Sequence, residues 1–236
     1  MSGESSVLLP PGGQRILFIM AHPDDAEFTS GGTVARLTAE GREVYYLLAT
    51  RGDKGSEEPG MTPERLAGIR EVDQRAAAQA LGVKDVFFLD YSDGEVEPTL
   101  KMRSEFVQIV RTLRPDVVFT FDPWRRYEMH PDHRAVGICA LDALAASRGS
   151  MYFPEQLNEQ VQAHRVRQIY FFASDRPNHW VDISEVIDKK IAALCCHTSQ
   201  VGHHENLDEH IRQRARPLGA EHGYAFAEAF HHLVMR

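Results

Sequence analysis

The chain has 236 residues, 43% hydrophobic and 25% charged, which is ordinary for a globular protein. A net charge of −8 excludes the basic surface on which nucleic-acid binding usually depends. The three cysteines include the adjacent pair Cys195 and Cys196 and no C-x-x-C spacing, which excludes a disulfide scaffold and argues against a cysteine-based zinc site.

Residues 1–14 are rich in Ser, Gly and Pro and read as a flexible leader without the basic-then-apolar pattern of a signal peptide. Residues 15–236 read as a single domain, and no apolar run reaches the roughly eighteen residues of a membrane span. The expected location is the cytoplasm. Arg15–Met20 is a short apolar run, expected as a buried strand. Thr29–Glu40 has helical spacing and stops at Gly41, a fit for the residue after a helix. Glu43–Ala49 is a second strand. Thr62-Pro63 opens a helix that runs to Leu81-Gly82, a cap residue followed by proline at the first helical position. Asp85–Leu89 and Val117–Phe121 are strands, separated by a helix over Thr99–Leu113. Asp132–Ser147 is a fourth helix. Val166–Ala173 and Trp180–Ile183 are expected as strands, the latter antiparallel or at an edge. Ser184–Cys196 is expected as a helix capped by Ser184, and Asn206–Met235 as two short helices broken near Pro217–Gly219. Strands alternating with helices predict an α/β fold: a Rossmann-like, mostly parallel sheet flanked by helices, with a helical C-terminal addition.

Ligands of open parallel sheets bind beyond the carboxyl ends of the strands, so the residues after each apolar run carry the functional information. A dinucleotide site would place G-x-G-x-x-G after the first strand; the chain has His22-Pro23-Asp24-Asp25 there. The fourth strand is followed by His130-Pro131-Asp132-His133. His22, Asp25 and His133 form a two-histidine, one-carboxylate set of the kind that holds a catalytic zinc with an open position. Asp24 is left over beside it as a general base, and His130 as an acid or oxyanion donor. Asp132 is placed to hold His130 in one tautomer. The bland alternative is that Asp24 or Asp25 only caps a helix. Two such motifs at neighbouring strand ends weigh against it.

These motifs resemble the PIG-L / LmbE-like family of zinc-dependent N-acetylglucosaminyl deacetylases. The resemblance rests on His22-Pro-Asp-Asp-Ala-Glu27 and His130-Pro-Asp-His133. It is supported by Gly31-Gly32, Arg70, the FLDYSDGE loop, KIAALCCHTSQ and YAFAEAF, and spans roughly residues 15–232. It implies a Rossmann-like fold, a Zn2+ cofactor (or another divalent metal) and hydrolysis of an N-acetyl group by attack of zinc-bound water. The substrate implied is a small amino-sugar conjugate. It matches His22, Asp25 and His133 to the metal ligands, Asp24 to the base, His130 to the protonating histidine and Asp132 to its partner. Substrate contacts would fall on Arg70, Asp93 and Asp53. For Arg70 the alternative is a surface ion pair with Glu71 or Asp73. Some members carry a tyrosine two positions before the first histidine of the second motif; here Glu128 stands there and the tyrosine is Tyr127. The Trp124-Arg125-Arg126 segment reads as a substrate wall or a surface loop, and His197 as a cleft residue. Some members complete the site with a neighbouring subunit's C-terminal histidine, which makes a homo-oligomer using His231 or His232 an expectation. Adjacent pairs such as His203-His204 point apart, against a second metal site.

Two other functions share these residues. One is the same metal chemistry on a different N-acyl amine. The other is a non-catalytic metal-binding protein, which would have no use for a free base and acid beside the ion.

Overall fold

The computed structural model describes residues 14–202 and 204–235. Most of the expected leader, and His203, lie outside the described residues. Seven strands form one sheet: β1 (Arg15–Met20), β2 (Glu43–Thr50), β3 (Asp85–Tyr91), β4 (Val117–Phe121), β5 (Gln168–Phe172), β6 (His179–Asp182) and β7 (Ala227–Val234). Their order is β3-β2-β1-β4-β5-β7-β6. The first five run parallel, while β7 is antiparallel to both of its neighbours. Ile16 through Met20 are fully buried, because helices cover both faces of a parallel sheet and leave no polar side.

The connecting helices are α1 (Asp25–Ala39), α2 (Pro63–Leu81), α3 (Leu100–Leu113) and α4 (Pro131–Ser147). Three later helices follow: α5 (Ile187–Leu194), the single turn α6 (Thr198–Val201) and α7 (Leu207–Ala220). The caps read from sequence are in place. Thr62 accepts from the Arg65 N–H and Thr99 from the Met102 N–H. Gly82 ends α2 at φ +77, a left-handed conformation open to glycine at no steric cost.

Three local expectations are corrected. Helix α1 begins at Asp25, inside the first motif, rather than at Thr29. Ser184 caps no helix; its hydroxyl bonds the Asp182 carboxylate and receives the Ala225 and Phe226 N–H groups, and α5 starts at Ile187. The second of the two tail helices is instead strand β7. Helical propensity in its Ala-Glu-Ala segment yields to two open ladders, with Tyr170 paired to His232 and Val181 to Glu228. Pro217 does not break α7, which runs through it to Ala220.

The glycine pair of α1 sets how closely the helix packs. A Cβ on Gly32 would lie 2.6 Å from Cγ2 of Ile183, and one on Gly31 would lie 3.1 Å from Cγ of Lys190. Gly32→Ala is expected to cost about 1–3 kcal/mol through overpacking, despite the better helix propensity of alanine. Thermal unfolding measures it: a midpoint equal to or above wild type would show that α1 can shift without loss.

Candidate active site

Sheet order reverses between β1 and β4, and a crevice opens there beyond their carboxyl ends. The turn after β1 delivers His22, Asp24 and Asp25. The start of α4, after β4, delivers His130, Asp132 and His133. The loops after β2 and β3 deliver Asp53 and Asp93, and α2 delivers Arg70. The topology therefore gathers all nine sequence-selected residues around this end of the sheet.

Asp25 lies between two imidazoles. Its Oδ2 is 3.7 Å from Nδ1 of His22 and its Oδ1 is 3.4 Å from Nε2 of His133. Both separations are long for a hydrogen bond. They run to different oxygens of Asp25, so its carboxylate bridges the two rings rather than offering both a single donor atom. Among the described residues two donor groups each lie within 4.8 Å, His22 with His130 and His133, and His22 and His130 with Asp93 and Asp132; Asp25, expected as a ligand, is in neither. His22 turns its other nitrogen, Nε2, to Asp132 Oδ2 at 2.9 Å and to Asp93 Oδ1 at 3.1 Å. A carboxylate on the far nitrogen of a metal-binding histidine fixes the tautomer and the ring orientation. The donor set fits a divalent cation. Burial opposes a charge on His22, but the Asp132 and Asp93 carboxylates push it up to about 10. Burial also opposes ionisation of Asp25, while His133 and His22 beside it hold the carboxyl below its usual range.

Asp132 departs from its expected partner. Its carboxylate is bonded to His22 and to the N–H groups of Gly94 and Val96, and not to His130. It sits in the first turn of α4, where the β3 loop covers it. His130 keeps a buried Nδ1 without a hydrogen-bond partner. Burial and the neighbouring His22 and His133 lower its basicity.

Asp24 does not cap α1. It takes a left-handed backbone at φ 83, makes no side-chain cap bond, and points its Oδ2 at Nη2 of Arg70, 3.3 Å away. Burial pushes this carboxyl up to about 7, against the pull of Arg70. Nor is Asp25 a cap: its Oδ2 reaches backwards to the N–H groups of Ala21 and His22. The capping alternative is not what the turn does. Arg70 is 4% exposed and is held by the carbonyls of Pro23 and Gly52. Glu71 instead pairs with Arg51 and Arg75, and Asp73 bonds Ser199, so the surface-pair alternative for Arg70 is not met. Gly52 has φ +67, and a Cβ there would lie 2.2 Å from Nη1 of Arg70.

The remaining expectations divide. Asp93 is buried and sits 3.9 Å from Nη1 of Arg70. Asp53 is occupied with the Asp93 N–H and so shapes the loop. His197 is fully buried against Glu27 and lines no cleft. His231 bonds the Arg176 carbonyl and His232 the Gln168 side chain, so both C-terminal histidines have uses within the chain. Tyr127 points to solvent at 86% exposed. Trp124 is also exposed, its ring edge-on to Phe171, beside a cavity of about 370 Å³ that Arg126 also lines.

Sequence reading missed Glu128 and Gln74. Glu128 accepts from the His130 N–H at 3.1 Å, lies 3.5 Å from Nδ1 of His133 and pairs with Arg125. Its place two residues before His130 was a signal, read only as a missing tyrosine. Gln74 Oε1 accepts from the Asp24 N–H at 2.9 Å, a contact across fifty residues that no local pattern announces.

A Rossmann-like sheet with histidines and carboxylates converging at its switch point defines a class of α/β proteins built to hold a divalent cation at the strand ends. Within that class the chain belongs to the PIG-L (LmbE-like) family. The family profile, described as GlcNAc-PI de-N-acetylase, matches residues 17–144. A diacetylchitobiose deacetylase of Thermococcus kodakarensis is 34% identical over 91% of this chain and 81% of its own length. A probable N-acetyl-alpha-D-glucosaminyl L-malate deacetylase 2 of Bacillus anthracis is 30% identical over 79% of this chain and 81% of its own. The solved N,N'-diacetylchitobiose deacetylase of Pyrococcus horikoshii superposes with a TM-score of 0.89 at 31% identity, covering 93% of this chain and 84% of that one.

Proposed function

We propose that the chain is a zinc-dependent hydrolase that removes the acetyl group from a small N-acetylglucosamine-containing substrate. The observation that carries this reading is Asp24, a half-buried carboxylate next to the His22–Asp25–His133 donor set and outside it, bonded to no helix N–H. A divalent ion bound by His22, Asp25 and His133 supplies positive charge that polarises the acetyl carbonyl and acidifies water. Asp24 takes the proton of the attacking water. His130, beside His22 and His133, would face the carbonyl oxygen and then pass a proton to the leaving nitrogen. Asp132 acts through His22, holding its ring with Nδ1 toward Asp25. Arg70 and Asp93 form the polar wall for the sugar hydroxyls, and Asp53 acts by fixing the Asp93 loop. The amino-sugar substrate is supported by the relatives, one named for diacetylchitobiose and another for a glucosaminyl malate.

The same reading takes residues 15–236 as one catalytic domain and places it in the cytoplasm, where its free cysteines stay reduced. Homo-oligomerisation belongs to it as well. The exposed Trp124, Tyr127 and Met129 on the loop before His130 support a contact there, and light scattering tests it. No helix of the described residues is long and apolar enough to cross a membrane.

Acetate release from N-acetyl sugars, measured on the chelated protein and after adding back one equivalent of zinc, tests the reaction. Chelation is expected to abolish release while leaving thermal unfolding cooperative, because the residues proposed to hold the ion lie at the strand ends, outside the apolar core of the sheet. Full activity in the metal-free protein would overturn the reading.

A further inference from the structure

Three buried side chains form a chain of hydrogen bonds that starts at the Asp24 backbone, behind the site. The Asp24 N–H donates to Gln74 Oε1 at 2.9 Å, Gln74 Nε2 donates to Glu27 Oε1 at 3.0 Å, and Glu27 Oε2 meets His197 Nε2 at 3.2 Å. Gln74, Glu27 and His197 are each 0% exposed, so none of them can touch substrate. The backbone of Asp24 is left-handed at φ 83, a strained state for a non-glycine residue that persists only where its surroundings enforce it. In this state the Asp24 carbonyl still accepts the first helical bond, from Phe28 N–H. The Asp24 N–H turns out of α1 toward α2, and the carboxylate turns to Arg70. Only the bond to Gln74 engages that N–H, and Glu27 fixes which way the Gln74 amide faces, because a carboxylate accepts and cannot donate. Ser199, two residues beyond His197, bonds Asp73, the residue before Gln74, through both its N–H and its hydroxyl. The far end of the chain is therefore anchored to the same helix.

We propose that Gln74, held by Glu27 and His197, is the positioning residue that enforces the left-handed turn at Asp24 and so aims its carboxylate at the reacting water. This rests on the reading of Asp24 as the base. It requires Gln74 to act through Asp24 and through nothing else in the reaction.

A double-mutant cycle tests it. Gln74→Met keeps the volume and loses both hydrogen bonds. It is expected to lower kcat roughly 10–100-fold, with KM unchanged within about twofold and zinc content at wild-type level. In the Asp24→Asn background the same change is expected to lower kcat by less than about twofold, because the group it positions is already lost. A general structural role would give equal losses in both backgrounds, and that result overturns the proposal. A wild-type rate for Asp24→Asn alone overturns instead the base assignment on which it rests.

If Gln74→Met does not fold, an exchange pair gives the answer. Gln74→Glu alone puts two carboxylates face to face. Combined with Glu27→Gln it restores every bond: Glu at 74 accepts from Asp24 N–H and from the Gln at 27, whose oxygen accepts from His197. The pair is expected to recover kcat to within about tenfold of wild type. A pair as inactive as Gln74→Glu alone overturns the proposal.

Discussion

Asp24→Asn is expected to keep its metal and lose roughly 10²–10⁴ in turnover, or about 3–5 kcal/mol of transition-state stabilisation. Asn is isosteric and still fits beside Arg70, but it cannot accept a proton. Asp25→Asn differs from it by one position and is expected to fail differently. It removes the anionic donor between His22 and His133, so metal content falls and excess zinc returns part of the rate. His130→Ala is expected to keep metal like Asp24→Asn, which separates His130 from the ligands although its ring lies among them. Metal per chain and acetate release, measured side by side on the three variants, check all of this. Loss of metal from Asp24→Asn with retention in Asp25→Asn would reverse the two assignments.

The second large effect concerns stability. Glu228 lies on β7 and is 3% exposed. It accepts from the N–H groups of Gly32 and Thr33, from the Thr33 hydroxyl and from Lys190 Nζ at 2.6 Å. Glu228→Ala leaves a buried ammonium whose remaining bond is to the Phe28 carbonyl. The expected cost is about 3–5 kcal/mol, the usual penalty for removing one partner of a buried pair. For a chain of this size that lowers the unfolding midpoint by roughly 6–20 °C. Lys190→Met is expected to cost less, since Glu228 keeps three donors on α1. Calorimetry ranks the two, and a larger loss for Lys190→Met would mean that the ammonium, not the carboxylate, holds this junction together.

The parallel strands, and the residues that gather at their carboxyl ends, were legible because their signals are local. An apolar run such as Arg15–Met20 buries both faces, and the polar residues after it must be at a strand end. The placing of His22, Asp25 and His133 at this end of the sheet follows from that rule. What failed was set by distant partners. Strand β7 carries helix-forming residues and is a strand only because β5 and β6 leave a gap for it. Asp132 turns to His22 because the β3 loop brings Gly94 and Val96 to its other oxygens. Glu128 gave a readable sign, an acid where a tyrosine was looked for, but its contact with His133 depends on the fold of a whole loop.

Strand β6 has β7 as its only sheet neighbour among the described residues, yet β7 follows it by more than forty residues. During synthesis β6 must therefore wait without a partner until α7 and β7 have been made. Glu228 arrives on that late strand, so the brace on Gly32, Thr33 and Lys190 is added after the parallel strands have been made. Helix α1, which begins in the turn after β1, gains this anchor last. A ribosome-bound or truncated chain ending before residue 227 can pair β1 through β5, but it has an exposed edge at β5 and a loosely held α1. Such an edge is a template for aggregation, and this chain stays vulnerable to it until its seventh strand closes the gap.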